Sequence, residues 1–187
     1  MLCQIFPLSA FAGTPLETVR GTVDEVIDIL RDPSLKSESA KKIKNHKIRA
    51  ITNKMFDFTE LSKRTLAANW SKFTTKQQQE FISLFKDLLA DTYIDKIVAY
   101  TDEQIIFTKE VPLSEKTVEV QSKVIKKNQE IPIYYRMINE NGSWLIYDVA
   151  VEGVSLSNNY RSQFREILLN KPPTSLLETL RKKVGKT

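Results

Sequence analysis

Cysteine, histidine and glycine are all scarce in this chain, and each shortage excludes a class of chemistry. Its 187 residues hold one cysteine, Cys3, one histidine, His46, and five glycines. A lone cysteine forms no disulfide framework, and a single thiol with a single imidazole falls short of the three or four ligands a zinc site needs. His46 sits among lysines in a polar stretch with nothing marked to orient it as a base, and it reads as a solvated surface histidine. The glycines never form G-x-G-x-x-G or G-x-x-x-x-G-K-[ST], so loops that cradle nucleotide phosphates are missing. No uninterrupted apolar run approaches the ~20 residues of a membrane-spanning helix. This reading assigns no catalytic residue, no metal and no cofactor.

What is present is an ordinary globular balance, with 41% hydrophobic and 27% charged residues, which argues against wholesale disorder. The net charge of +5 comes from 28 basic against 23 acidic residues. Such an excess licenses mild attraction to anionic surfaces and no more. The basic run Lys41, Lys42, Lys44, Lys47 and Arg49 has no interleaved aromatics for stacking bases, so a solvated helix face is favoured over nucleic-acid binding. Leu2 to Ala12 is apolar and uncharged and ends in the small-x-small pattern Ala10-Phe11-Ala12. It reads as the h-region and cleavage site of a secretory signal lacking its basic start, which assigns residues 1–12 to the signal and 13–187 to a single domain. Cleavage there would remove Cys3.

Hydrophobic periodicity divides that domain into a helical part, 14–101, a strand part, about 104–151, and a second helical part, 156–184. Thr14-Pro15 caps a first helix carrying Leu16, Val19, Val23, Val26, Ile27 and Leu30 at helical spacing, and Asp32-Pro33 ends it. The polar segment from Ser34 to Lys47 is expected to be helical. Asp57 opens another helix through Leu61, Leu66 and Trp70. Thr74 or Thr75 caps the longest helix, whose stripe is Phe81, Leu84, Phe85, Leu88, Leu89, Tyr93, Ile97 and Tyr100.

From Gln104 the period falls to two: Val118, Val120, Ser122 and Val124 alternate with polar residues, and Asn141-Gly142 marks a hairpin before Trp144 to Val151. About four antiparallel strands after a block of helices predict an α+β domain with helices on one sheet face. Leu156 to Leu169 is helical again, Pro172-Pro173 stops it, and Ser175 begins a last helix ending in Arg181-Lys182-Lys183.

One catalytic reading survives as the alternative, an isomerase or lyase handling a small hydrophobic substrate with a strand carboxylate and a tyrosine drawn from Tyr134, Tyr135, Tyr147 and Asp148. Strict alternation sends Tyr147 and Asp148 to opposite faces, which counts against it.

Two segments carry a family resemblance. Asn69 to Tyr93 (N-W-S-K-F-T-T-K-Q-Q-Q-E-F-I-S-L-F-K-D-L-L-A-D-T-Y) and Trp144 to Phe164 (W-L-I-Y-D-V-A-V-E-G-V-S-L-S-N-N-Y-R-S-Q-F) resemble the MlaC, or toluene-tolerance, family, and the likeness runs from about Thr14 to Val184. One departure is local: the family often has glycine shortly before the tryptophan matching Trp70, where this chain has Ala67-Ala68. The resemblance implies an NTF2-like sheet with packed helices around an apolar cavity. It also implies a monomeric periplasmic carrier of phospholipid. Such a carrier is the auxiliary component of an ABC transport system, passing lipid between an outer-membrane lipoprotein complex and an inner-membrane complex of MCE protein, permease and ATPase.

For such a carrier the candidate lipid contacts are Phe81, Phe85, Leu88, Leu89 and Tyr93 on the long helix and Val120, Tyr135, Met137, Leu145, Tyr147, Val149 and Val154 on or beside the strands. Tyr160 and Phe164 on the following helix complete the set, with Gly153 as the pivot between wall and lid. Arg161 is expected to pair with Glu152 or Asp148, or else to meet the headgroup.

Overall fold

Thr14 starts the first helix, α1 (Pro15–Arg31), through a reciprocal cap: its hydroxyl accepts from the Glu17 amide while the Glu17 carboxylate accepts from the Thr14 amide at 2.9 Å. The computed structural model describes residues 13–99, 103–126 and 129–186. The apolar N-terminal segment with Cys3, and Tyr100 of the expected helical stripe, lie outside the described residues.

Helix is not continuous across Ser34 to Lys47. Asp32 accepts from the amide and hydroxyl of Ser34, and Ser37 accepts from the Ala40 amide. These local bonds wind two short 3-10 turns, Pro33–Leu35 and Glu38–Ala40, before α2 (Lys41–Met55) begins. Asp57 caps α3 (Phe58–Leu66) by accepting from the Glu60 amide at 2.8 Å. That helix breaks at Ala67, whose φ is +49°, and a 3-10 stretch, Ala67–Lys72, carries the chain past Trp70. Thr74 and Gln77 form a second capping box at the head of α4 (Thr75–Val98).

The sheet is an antiparallel meander in the order β1 (Gln104–Pro112), β2 (Thr117–Lys126), β3 (Gln129–Glu140), β4 (Ser143–Val151), β5 (Val154–Ser155). Asn141 and Gly142 both take positive φ, as the tight turn between β3 and β4 requires. About four strands were expected; the fifth arises because Glu152 and Gly153, with φ of +50° and +80°, turn the chain back so that Val154 pairs with Val151. Helices α5 (Leu156–Asn170) and α6 (Pro173–Lys183) follow. The last helix starts at Pro173 rather than Ser175, since proline is tolerated at a first helical position.

The apolar interior is divided. One core is helical, built by α3, α4, α5 and α6 with Phe81, Phe85, Tyr160 and Phe164 at its centre. The ring centroids of Phe81 and Phe164 are 5.7 Å apart and those of Phe85 and Tyr160 are 5.1 Å apart, both edge to face. Such pairs add about 0.5–1.5 kcal/mol each beyond area burial. The other core lies between one sheet face and α1, where Val19 meets a face bearing Val120, Tyr135, Met137, Ile146 and Val149. Leu16 fixes that helix in place by donating its amide to the Glu110 carboxylate at 2.6 Å. Among the described residues Phe56 packs against both cores, and beside it the Asp57 amide donates to the Ile146 carbonyl at 2.8 Å.

Candidate functional site

Ladder register decides which strand residues share a face. Val120 pairs with Tyr135 and Tyr135 with Val149, while Val118 pairs with Met137 and Met137 with Ile146. The candidate contacts Val120, Tyr135, Met137 and Val149 therefore stand together on the inner face, under α1. Further along, Phe107, Ser122 and Ile133 form the next row, and Ile105, Val124 and Ile131 form a row beyond it. This last row continues the inner face outside the packed core, and its side chains are half-buried.

The other candidates lie elsewhere. Phe81, Phe85, Leu88, Leu89, Tyr160 and Phe164 are buried in the helical core, with Tyr93 half-buried against it. Leu145 pairs with Ile138 and so lies on the opposite side of the strand pair from Met137. Val154, on the short fifth strand, is 59% exposed. Most candidates thus fall into two cores, within each of which they pack against one another, while Leu145, Tyr147 and Val154 belong to neither.

Tyr147 departs from the alternation expected of a strand. The register slips between Arg136 and Met137, which pair with Asp148 and Ile146 respectively, leaving Tyr147 as the extra residue of a bulge. Tyr147 and Asp148 consequently line the same cleft, of about 310 Å³, with Arg64, Arg136 and Arg161. The opposite-face expectation for this pair is corrected by that bulge. Arg64 stacks its guanidinium 4.0 Å from the Tyr147 ring centre while its Nε donates to Glu60 at 2.8 Å. Burial is the largest influence raising the Tyr147 phenol above its usual range, partly offset by the nearby Arg64 and Arg136 charges.

Asp148 holds this corner together. Its carboxylate accepts from the Ser155 hydroxyl at 2.6 Å, the Ser157 amide at 3.0 Å and Arg136 at 3.3 Å. Arg136 also reaches Glu119 at 3.2 Å, and this partner offsets the cost of burying the Glu119 carboxylate. A carboxylate so engaged ties β3 and β4 to the start of α5; three of its roughly four acceptor positions are taken up by fixed donors. Arg161 corrects another expectation: it pairs with neither Glu152 nor Asp148. Its Nε and Nη2 both donate to the Arg64 carbonyl, at 3.0 and 2.6 Å, joining α5 to the end of α3.

Sequence reasoning missed Arg64 and Arg136, because neither belongs to a motif and because the Tyr147 ring over which Arg64 stacks and the carboxylates that Arg136 meets come from other elements. A second cleft of about 340 Å³ lies between α5 and the 3-10 stretch after α3. Among the described residues there is no cluster of three or more metal-ligating side chains, and no helix is long and apolar enough to cross a membrane.

Three comparisons bear on what this arrangement serves. The family model described as MlaC protein matches residues 20–182. Toluene tolerance protein ttg2D of Pseudomonas putida is 26% identical over 171 residues, covering 90% of this chain and 80% of that protein. The intermembrane phospholipid transport system binding protein MlaC of Haemophilus influenzae is 24% identical over 98 residues, about half of each chain. In fold, the chain is similar to a phospholipid-binding protein from Ralstonia solanacearum solved in complex with a phospholipid. The TM-score is 0.81 at 24% identity, and the match covers 93% of this chain and 98% of that one.

Proposed function

The chain belongs to the MlaC protein family, and from that premise we propose that it is a periplasmic phospholipid carrier, moving lipid between an outer-membrane lipoprotein complex and an inner-membrane complex of MCE protein, permease and ATPase. The observation that supports this reading most is the divided interior, with an apolar sheet face running on beyond the core that α1 covers. Exposing two acyl chains of roughly thirty methylenes to water costs on the order of 20 kcal/mol, so a carrier must enclose both tails. The clefts of about 310 and 340 Å³ sit at the low end of ligand sites, too small for two acyl chains, and the first is lined largely by charged or polar groups. Tails therefore belong between the two cores.

Parting the cores there would cost Phe56 its contacts with one of them and keep the remaining packing within each. The inner-face residues Val120, Tyr135, Met137 and Val149 would meet the acyl chains from one side, and the α4 and α5 aromatics from the other. The row Ile105, Val124 and Ile131 would form the mouth. A carrier that grips mainly the tails draws most of its affinity from them and accepts several headgroups.

Organic extraction of natively purified protein followed by mass spectrometry tests the reading. Diacyl phospholipid is expected in the wild type, and the folded variants Val124→Lys and Ile131→Lys should retain markedly less. A wild-type protein repeatedly free of lipid would sink the proposal.

A further inference from the structure

We propose that the groove between α5 and the 3-10 stretch Ala67–Lys72 docks an acidic segment of a partner protein that inserts a leucine-like side chain. Its floor is apolar, formed by Leu66 and Leu168, and Leu169 at its edge is 65% exposed. Around that floor stand Lys72, Arg161 and Arg165, and no acidic residue lines the groove. None of these three cations takes part in an ion pair among the described residues, whereas eight other cations do. Arg161 is already held by its two bonds to the Arg64 carbonyl, so it loses little freedom on meeting an anion.

An apolar floor ringed by unpaired cations is complementary to an apolar anchor flanked by carboxylates. The concave shape fits an inserted side chain better than the flat surface of a bilayer. Nucleic acid is disfavoured because no aromatic side chain lines the groove for base stacking. Cations gathered in a recess also raise the encounter rate with an acidic partner. None of the candidate lipid contacts lines this groove, so the inference stands apart from the lipid reading.

The test is a titration of the ¹⁵N-labelled full chain with an acetylated, amidated peptide Glu-Glu-Leu-Leu-Glu-Glu. A counterpart with lysine for every glutamate, and phosphatidylglycerol vesicles, are run beside it. Amide shifts from the acidic peptide are expected to concentrate at 66–72 and 161–169, to weaken as salt is raised, and to be absent with the lysine peptide. Lys72→Glu with Arg165→Glu should weaken binding by at least about tenfold, since both partners then repel. Leu169→Ser, which leaves the charges alone, should weaken it by about threefold or more. Shifts spread evenly over the chain, or an affinity unchanged in the charge-reversed variant, would overturn the proposal. So would vesicle binding that the charge reversal abolishes while the acidic peptide leaves the spectrum unmoved; the groove would then be a membrane contact.

Discussion

Replacing Ala67 by glycine should make this protein more stable, although the change removes a methyl group and loosens the chain. At Ala67 the backbone takes φ +49° and ψ −125°, and its amide donates to the Lys63 carbonyl as α3 closes. A side chain at such dihedrals costs about 1–3 kcal/mol, because Cβ crowds the neighbouring carbonyl; glycine has no Cβ and no such penalty. Ala67 is exposed, so losing its methyl forfeits little packing. Against that gain, glycine widens the unfolded ensemble by about 0.4–1 kcal/mol. The balance is a net stabilisation of about 0.5–2 kcal/mol. At this chain length each kcal/mol raises Tm by about 2–4 °C. Urea unfolding should show a higher midpoint at an unchanged slope, and Ala67→Val should lower the midpoint because a branched Cβ worsens the crowding. A glycine variant no more stable than wild type, with valine equally neutral, would refute the reasoning from the backbone at this residue.

Three further outcomes follow from the cores and the polar corner. Asp148→Ala should cost about 2–4 kcal/mol in urea unfolding, below the full figure for a broken buried pair because Arg136 is partly exposed and keeps Glu119. Burial pushes the Tyr135 phenol up to about 12 from an ordinary 10. The unfolded chain therefore releases this proton first, and the contribution, full below about pH 10, is lost as pH rises from about 10 to about 12, amounting to about 2–3 kcal/mol. Tyr135→Phe should remove that part of the alkaline fall, as paired urea curves at about pH 9 and about pH 11 would reveal. Phe85→Ala, which empties the centre of the helical core, should cost about 3–5 kcal/mol and broaden the near-ultraviolet signal of its ring neighbours Phe81, Tyr160 and Phe164.

Much of the fold is legible along the chain because its signals are local. The Thr14 and Thr74 caps, the Asp57 cap, the Asn141-Gly142 turn and the period-two run of β2 each act within a few residues, and the structure has all of them. The helical stripe on α4 was less complete: Ile94 is buried where Tyr93 is half-buried, and which flank of a helix is covered is set by its tertiary neighbours. The candidate site is legible as a set of apolar residues and illegible as a surface. Sorting Val120 from Phe85 into separate cores depends on strand register and on where α1 and α5 settle, and neither leaves a mark in composition. Tyr147 is the plainest case, because one slipped pairing against β3 turned its side chain to the face of Asp148.

By itself the sequence determined that this is an α+β chain of helices, consecutive strands and helices again, and it carried the Trp144 to Phe164 segment on which the family resemblance rests most. Those properties depend on residue type and short spacing, which survive without any knowledge of the fold. Tertiary structure alone decided that Asp148 is a bonded tie, that Arg161 braces α3, and that Lys72, Arg161 and Arg165 surround an apolar groove with no acidic neighbour. Each of these depends on groups brought together from distant parts of the chain, and the free energy of a buried charge or an unpaired cation is set by those neighbours in space.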